Sequence, residues 1–162
     1  SCPCYNYNLV LETHDQSLPW MSMVYEILQE SSNMSDVENP EDIVNLFISK
    51  IESRELDAAL EHVSDDCYYD NVPIGDMNGK EDMLQFLSGL LKGEGPVEFE
   101  VVRQTCSGNT VMNERLDRFN TASGRSIEIP VMGVFEVNEG LITFWRDYFD
   151  NGMFLRQLKD ES

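Results

Sequence analysis

The stretch IEIPVMGVFEVNEGLITFWRDYFD (residues 127–150) joins two apolar runs through the short polar segment NEG. Both runs are rich in β-branched and aromatic residues, which favour strands, and a short polar segment ending in glycine is typical of a hairpin turn. Two earlier runs, VEFEVVRQTC (97–106) and TVMNERLDRF (110–119), have the same character and are bounded by the segments SGN and TASGRS. The sequence therefore predicts an antiparallel meander.

The residues before the meander show helical periodicity. NPEDIVNLFISKIESRE (39–55) has acidic residues in its first turn and an apolar stripe, which predicts a helix that faces the core. The stripe consists of Ile43, Leu46, Phe47 and Ile51. Further helices are expected at LDAALEHV (56–63) and at GKEDMLQFLSGLLKG (79–93), with a short strand, CYYDNV (67–72), between them. Helices followed by an antiparallel sheet predict an α+β domain in which a curved sheet wraps the helices.

The first 38 residues differ in composition from the rest of the chain. They contain no Lys or Arg, and their one amphipathic piece, PWMSMVYEILQE (19–30), follows a plausible helix start at Pro19. Four of its apolar residues fall at helical spacing: Trp20, Val24, Ile27 and Leu28. The pattern is compatible with a short helix or with a loosely attached tail. We expect residues 1–38 to be an extension and residues 39–162 to be the folded domain.

Charge and cysteine usage narrow the partners and the compartment. A formal net charge of −19 argues against nucleic acid and anionic membranes, because both need clustered Lys and Arg. No apolar run approaches membrane-spanning length, and no basic residue precedes Lys50 as a secretion signal would require. The four cysteines, at positions 2, 4, 67 and 106, match no disulfide framework or zinc signature. We expect a cytoplasmic protein without a metal.

Ionisable residues interrupt two of the predicted strands. Strand alternation places Asp147 on one face with Trp145 and Phe149, and it places Arg115 on one face with Asp117. If both faces point into the space between sheet and helices, one arginine can bridge both carboxylates. Unequal environments would then separate the two acids into a proton donor and a base. The alternative interpretation is an ordinary solvated cross-strand salt bridge.

Three segments carry a family resemblance. YYDNVP (68–73), NERLDRF (113–119) and MGVFEVNEGLITFWRDYFD (132–150) together resemble the limonene-1,2-epoxide hydrolase family. The similarity runs from about Ile43 to Phe154, and the hairpin NTASGRS (120–126) is about one residue shorter than in the family. The resemblance implies a cone-shaped, curved mixed or antiparallel sheet packed on N-terminal helices, as in nuclear transport factor 2 and ketosteroid isomerase. It also implies a homodimer that uses no cofactor.

The resemblance assigns a role to five residues. Arg115 corresponds to the bridge, Asp117 to the acid that protonates the epoxide oxygen, and Asp147 to the base that deprotonates a water. Tyr69 and Asn71 correspond to the pair that holds this water, and strand alternation puts them on one face. The implied reaction is one-step addition of water to an apolar epoxide, cyclic or terpenoid, which gives a vicinal diol.

The resemblance also implies which side chains form the apolar wall of the substrate pocket. They come from the first and third predicted helices and from the sheet: Ile48, Ile51, Leu87, Leu90, Phe119, Ile129, Val131 and Phe149. Any one of them alone would be read as ordinary core.

Two other functions remain open from the sequence. The first is an isomerase or polyketide cyclase of the ketosteroid isomerase-like group, which would move a proton beside a carbonyl. The second is a non-catalytic module of the same fold that binds a small molecule. The arginine favours the hydrolase, because a proton shuttle at an enolisable carbon needs one base, whereas an arginine between two aspartates suits a coupled acid and base.

Overall fold

The computed structural model describes residues 39–159. Within this range the α+β class predicted from the sequence is confirmed, with helices packed on one curved sheet. The elements are α1 Pro40–Glu52, α2 Leu56–Leu60, β1 Val63–Asn71, β2 Gly75–Asn78, α3 Lys80–Leu90, β3 Glu98–Ser107, β4 Thr110–Asn120, β5 Ser126–Asn138, β6 Leu141–Tyr148 and α4 Asn151–Leu158.

The sheet is mixed and has the strand order β2-β1-β6-β5-β4-β3. Strands β3 to β6 form the predicted antiparallel meander, because each pairs with its neighbour in sequence through a tight turn. Strand β1 pairs in parallel with β6, and β2 pairs antiparallel with β1. The parallel pair joins the middle of the chain to its C-terminal strand, and this pairing brings the two ends of the functional site together.

Helix α1 begins as its sequence predicts. The side chain of Asn39 accepts a hydrogen bond from the backbone N–H of Glu41 (3.2 Å), and Pro40 occupies the first turn. Its buried face differs from the predicted stripe, because Leu46 is 44% exposed. The residues that α1 buries are Ile43, Val44, Phe47, Ile48 and Ile51.

Aromatic side chains fix the position of β6 beneath α1. The rings of Phe47 and Trp145 meet edge to face with centroids 5.3 Å apart. Trp145 is stacked between Tyr69, at 3.8 Å, and Phe135, at 5.5 Å. All four rings are buried, so β1, β5, β6 and α1 are held together at the level of Trp145.

Three local features were not predicted from the sequence. Helix α2 ends at Leu60, and Val63 already belongs to β1, which is longer than the predicted strand. Strand β2 pairs with β1 through a register that has no local sequence signal. The last strand ends at Tyr148, and Asp150 caps α4 by accepting a hydrogen bond from the N–H of Met153 (3.0 Å). Phe149, predicted on the sheet, therefore lies in the connection between β6 and α4.

The predicted N-terminal helix and the expected lack of a membrane span are judged only within residues 39–159. The amphipathic piece around Trp20 and Leu28 lies outside residues 39–159. Among the helices that the structure describes, none has the length and apolar character needed to cross a membrane.

Candidate active site

Strand β4 turns three polar side chains toward the helices. Asn113, Arg115 and Asp117 alternate with outward-facing residues and are 1%, 1% and 5% exposed. Buried charge is costly unless it is paired and hydrogen-bonded, so this row must supply its own partners.

Arg115 is the centre of the cluster. Its Nε donates to Asp117 Oδ1 (3.1 Å), its Nη2 donates to Asp117 Oδ2 (3.3 Å), and its Nη1 donates to Asn113 Oδ1 (2.9 Å). Nη2 also reaches both carboxylate oxygens of Asp147 at 3.0 Å. The planar guanidinium therefore bridges one carboxylate on β4 and one on β6. The structure shows a buried cluster here, and the alternative of a solvated surface salt bridge is wrong.

Asp147 has two further donors. Trp145 Nε1 donates to its Oδ1 (2.8 Å), and the Tyr69 hydroxyl donates to its Oδ2 (3.3 Å). The parallel register of β1 and β6 explains this proximity, because Tyr69 lies opposite Trp145 and Asn71 lies opposite Asp147. The carboxylate is thus oriented by three neighbouring side chains while it still faces the pocket.

Asn71 completes the polar end of the site. Its Nδ2 donates to the Tyr69 hydroxyl oxygen at 2.8 Å. Its Oδ1 is buried and has no hydrogen-bond partner among residues 39–159. Buried polar atoms in folded proteins are nearly always satisfied, and an orphan acceptor on a pocket wall is suited to a small polar ligand such as water.

The electrostatic environments of the site residues differ. Burial raises the pKa of Asp117 to about 6, although the charge of Arg115 and its hydrogen bonds act in the opposite direction. Burial, reinforced by the charge of Asp147, raises the pKa of Tyr69 well above its ordinary value, so Tyr69 remains a neutral hydroxyl. Burial also lowers the pKa of Arg115, but the two carboxylates outweigh this effect and the net shift is upward. The site therefore holds a fixed cation beside an acid whose pKa lies closer to neutrality than that of an ordinary aspartate.

A pocket opens onto this cluster. Asp117, Asp147, Tyr69 and Asn71 lie on its polar side. Six of the eight predicted wall residues also line it: Leu87, Leu90, Phe119, Ile129, Val131 and Phe149. The arrangement combines two carboxyl groups, a hydroxyl, an amide and an apolar wall within one enclosure.

Ile48 and Ile51 are not part of the pocket wall. Their side chains are 5% and 0% exposed and belong to the hydrophobic core between α1 and the sheet. On the same helix, Phe47 packs against Trp145. The prediction that Ile48 and Ile51 face the substrate is not supported by their placement.

Five wall residues were missed. They are Ile74, Phe86, Phe99, Trp145 and Phe154. Trp145 was within reach of sequence reasoning, since it shares a strand face with Asp147, and Phe86 precedes Leu87 and Leu90 on α3. Ile74 lies in a turn and Phe154 on the unpredicted α4, so neither had a local signal. No group of three or more His, Cys, Asp or Glu side chains in residues 39–159 is arranged to hold a metal ion.

Comparison with known proteins places this geometry in a family. The family model of the limonene-1,2-epoxide hydrolase catalytic domain matches residues 38–159. The chain is 34% identical over 109 residues to epoxide hydrolase EphG of Mycobacterium tuberculosis (strain ATCC 25618 / H37Rv), covering 66% of this chain and 70% of that protein.

Solved structures agree with the fold. A limonene epoxide hydrolase-like epoxide hydrolase from M. tuberculosis superposes with a TM-score of 0.63 at 29% identity, covering 72% of this chain and 86% of that one. A protein with a ketosteroid isomerase-like fold from Catenulispora acidiphila DSM 44928 gives a TM-score of 0.64 at 19% identity, over 71% and 90% of the two chains. The second likeness shows the fold alone.

The close approach of β5 to Arg115 generates a prediction. A Cβ on Gly133 would overlap Arg115 Nη1 and would lie 2.7 Å from Asn113 Oδ1 and 3.1 Å from Asp147 Oδ1. We expect Gly133→Ala to displace the guanidinium and to destabilise the protein by roughly 1–3 kcal/mol, the cost of overpacking a filled site. Thermal unfolding measures the loss, and a crystal structure of the variant shows the position of Arg115.

The matched control adds the same methyl group where there is room. Gly89 occupies an exposed position on α3, and a Cβ added there would have no atom within 4 Å. Gly89→Ala should therefore leave stability unchanged or raise it. A Gly133→Ala variant with the wild-type melting temperature and an unmoved Arg115 would contradict the prediction.

Proposed function

The chain belongs to the limonene-1,2-epoxide hydrolase family, and from this premise we propose that it adds water to an apolar epoxide, cyclic or terpenoid, to give a vicinal diol. The observation that carries the proposal is the buried bridge of Arg115 between Asp117 and Asp147 at the wall of an apolar pocket. Opening a strained three-membered ether requires a nucleophile on one carbon and a proton on the leaving oxygen.

Each of the five polar residues has a role in this reaction. Asp147 takes a proton from the attacking water, and Asp117 gives its proton to the epoxide oxygen as the carbon–oxygen bond breaks. Tyr69 and Asn71 hold the water. Two observations support this division: burial raises the pKa of Asp117 to about 6, and Asn71 Oδ1 is a buried acceptor with no partner among residues 39–159.

Ring opening conserves the number of protons on the cluster. Before reaction Asp117 is protonated and Asp147 is ionised; afterwards Asp147 holds the proton taken from water and Asp117 is ionised, so one proton must return from Asp147 to Asp117 before the next turnover. Arg115 bonds to both carboxylates throughout, so the cation faces one negative charge at each stage. The bridge therefore lets the charge change sides without leaving a buried carboxylate unpaired.

The pocket wall supports an apolar substrate. Apolar side chains make up most of the pocket wall, among them Leu87, Leu90, Ile129 and Val131, and the polar groups lie together at one end. A neutral cyclic epoxide would lie against the apolar wall with its oxygen toward Asp117.

We further infer a homodimer formed through the outer face of the sheet. Four large side chains on β3 to β6 are 42–48% exposed there: Val102, Met112, Met132 and Tyr148. Exposed apolar side chains clustered on a sheet face favour burial against a second copy. Sedimentation equilibrium of the full chain tests this, and a monomer across the micromolar range would contradict it.

We also assign residues 39–162 to the catalytic domain and residues 1–38 to an extension, supported by the start of the family match at residue 38. We propose that the protein is located in the cytoplasm. Cys67 and Cys106 are both free thiols, as expected in a reducing environment, and a secreted, disulfide-linked form of the protein would refute it.

Product analysis tests the reaction. Purified protein is offered limonene oxide and cyclohexene oxide, and we expect vicinal diol to form. Asp117→Asn and Asp147→Asn should each lose nearly all turnover, on the order of 10²-fold or more, because each removes one proton-transfer group. Arg115→Lys should be nearly as inactive, since an ammonium cannot bridge two carboxylates as the planar guanidinium does.

The matched control is Glu128→Gln, which removes a carboxylate paired with Arg118 on the exposed outer face of the same sheet. It should leave diol formation unchanged, and circular dichroism should show all variants folded. A folded Asp147→Asn variant with near wild-type rate would refute the assignment. Isomerised product, or tight binding without turnover, would favour an isomerase or a binding module.

Oxygen-18 labelling tests the order of events. Arg115 and the hydrogen bonds from Trp145 and Tyr69 withdraw electron density from Asp147, which makes it a poor nucleophile but leaves it able to accept a proton. In a single turnover in oxygen-18 water with enzyme in excess, we expect one solvent label in the first-turnover diol and no ester after acid quench. An unlabelled first diol would show attack by a carboxylate and would refute the one-step route.

A further inference from the structure

Glu52, the last residue of α1, contacts the strand nearest to the proton donor. Its Oε1 accepts a hydrogen bond from the backbone N–H of Phe99 at 2.8 Å. Strand β3 lies at the edge of the sheet, so on its outer side an N–H has no strand partner. The carboxylate of Glu52 supplies that partner, and helix α1 is thereby tied to β3 at Phe99.

The register places this tie directly opposite Asp117. Phe99 and Asp117 are partners across β3 and β4. Because the N–H of Phe99 points to Glu52 and away from β4, the two residues form a non-hydrogen-bonded pair, in which side chains lie closer together. Both side chains are buried, at 4% and 5% exposure, and both line the pocket. The Phe99 ring centre also lies 5.7 Å from Arg115 Cζ. Glu52 therefore fixes the backbone at Phe99, whose side chain lies beside Asp117 and Arg115.

Glu52 also adds a negative charge to the surroundings of Asp117. Burial is the main cause that raises the pKa of Asp117, and the charges of Asp147 and Glu52 act in the same direction against Arg115. Phe99 from β3 and Ile129 and Val131 from β5 face the same pocket and carry no charge. The titratable groups that face Asp117 are Arg115 on its own strand, Asp147 on β6, Tyr69 on β1 and Glu52 on α1.

We propose that Glu52 is a positioning residue that holds Phe99 against Asp117 and, through its negative charge, keeps the proton on Asp117 in the free enzyme. This inference rests on the proposed function, since it takes Asp117 as the proton donor. Glu52 is not among the residues that line the pocket and touches no reacting atom.

Two substitutions separate the hydrogen bond from the charge. Glu52→Gln keeps a carbonyl oxygen at the position of Oε1 and removes only the negative charge. Glu52→Ala removes both the charge and the acceptor, which leaves the N–H of Phe99 unpaired at the sheet edge. Glu61→Gln is the control, because it makes the same change in net charge at an exposed position just after α2.

The test is the pH dependence of kcat/KM for cyclohexene oxide in these variants and the wild type. Rate is lost as pH rises through the pKa of Asp117, because the ionised acid has no proton to donate. Without the charge of Glu52, Asp117 ionises at lower pH. We expect the falling limb of Glu52→Gln to move down by about half a pH unit, with a roughly threefold lower kcat/KM on that limb. Glu61→Gln should keep the wild-type limb, and Glu52→Ala should add a rise in KM.

A readout independent of turnover is the carbon-13 resonance of the Asp117 carboxyl, titrated in wild type and Glu52→Gln. A matching downward shift of its midpoint supports the inference. If the wild type forms diol but the limb and the midpoint of Glu52→Gln stay in place, the inference is overturned while the proposed function stands. If the wild type forms no diol at any pH, the proposed function fails, and the carboxyl titration still decides whether Glu52 acts on Asp117.

Discussion

The buried guanidinium of Arg115 constrains the structure around it more than any other group. At 1% exposure it cannot exchange a lost partner for water, so its hydrogen bonds to Asn113, Asp117 and Asp147 must all be made within the protein. Two of these acceptors share its strand, but Asp147 belongs to β6. Strand β5 lies between β4 and β6, and only Gly133, opposite both Asn113 and Asp147 in the register, leaves room for the guanidinium to pass across it. The guanidinium of Arg115 on β4 therefore requires glycine at position 133 of β5.

A buried ion cluster of this kind adds little to stability. Taking three charged groups out of water costs several kcal/mol each, and their mutual attraction does little more than offset that cost. What the cluster provides is a difference between two carboxyl groups of the same chemical type. Asp147 receives donors from Arg115, Trp145 and Tyr69, whereas Asp117 has the arginine alone. Burial raises the pKa of Asp117 to about 6, and a carboxyl group whose pKa lies near neutrality is suited to donate a proton in general acid catalysis.

The parts of the site that were predictable from the sequence follow a strictly local rule. Side chains alternate along a strand with period two, so Arg115 and Asp117 had to share a face, as had Trp145 and Asp147, once the strands were identified. Contact between the two faces depends on register and on which side the helices cover, and neither has a local signal. The same limit explains why Leu46 was expected in the core, whereas Ile48 and Ile51 were expected in the pocket from the family resemblance. Helical spacing gives a stripe, but the rotation and position of α1 on the sheet are decided by packing, here by Phe47 against Trp145.

The parallel pairing of β1 with β6 connects the fold to its chemistry. A meander alone could bring Arg115 to both acids, but Tyr69 reaches Asp147, and Asn71 lies opposite it, only because β1 adds to the free edge of β6 in register. A protein with a ketosteroid isomerase-like fold shares this architecture at only 19% identity, and a shared fold does not itself determine the reaction. The architecture does provide adjacent inner positions on β1, β4 and β6 whose side chains converge under cover of the helices. Reaction type then depends on which polar groups occupy those positions, and in this chain they are two carboxyl groups, a guanidinium between them and the paired side chains of Tyr69 and Asn71.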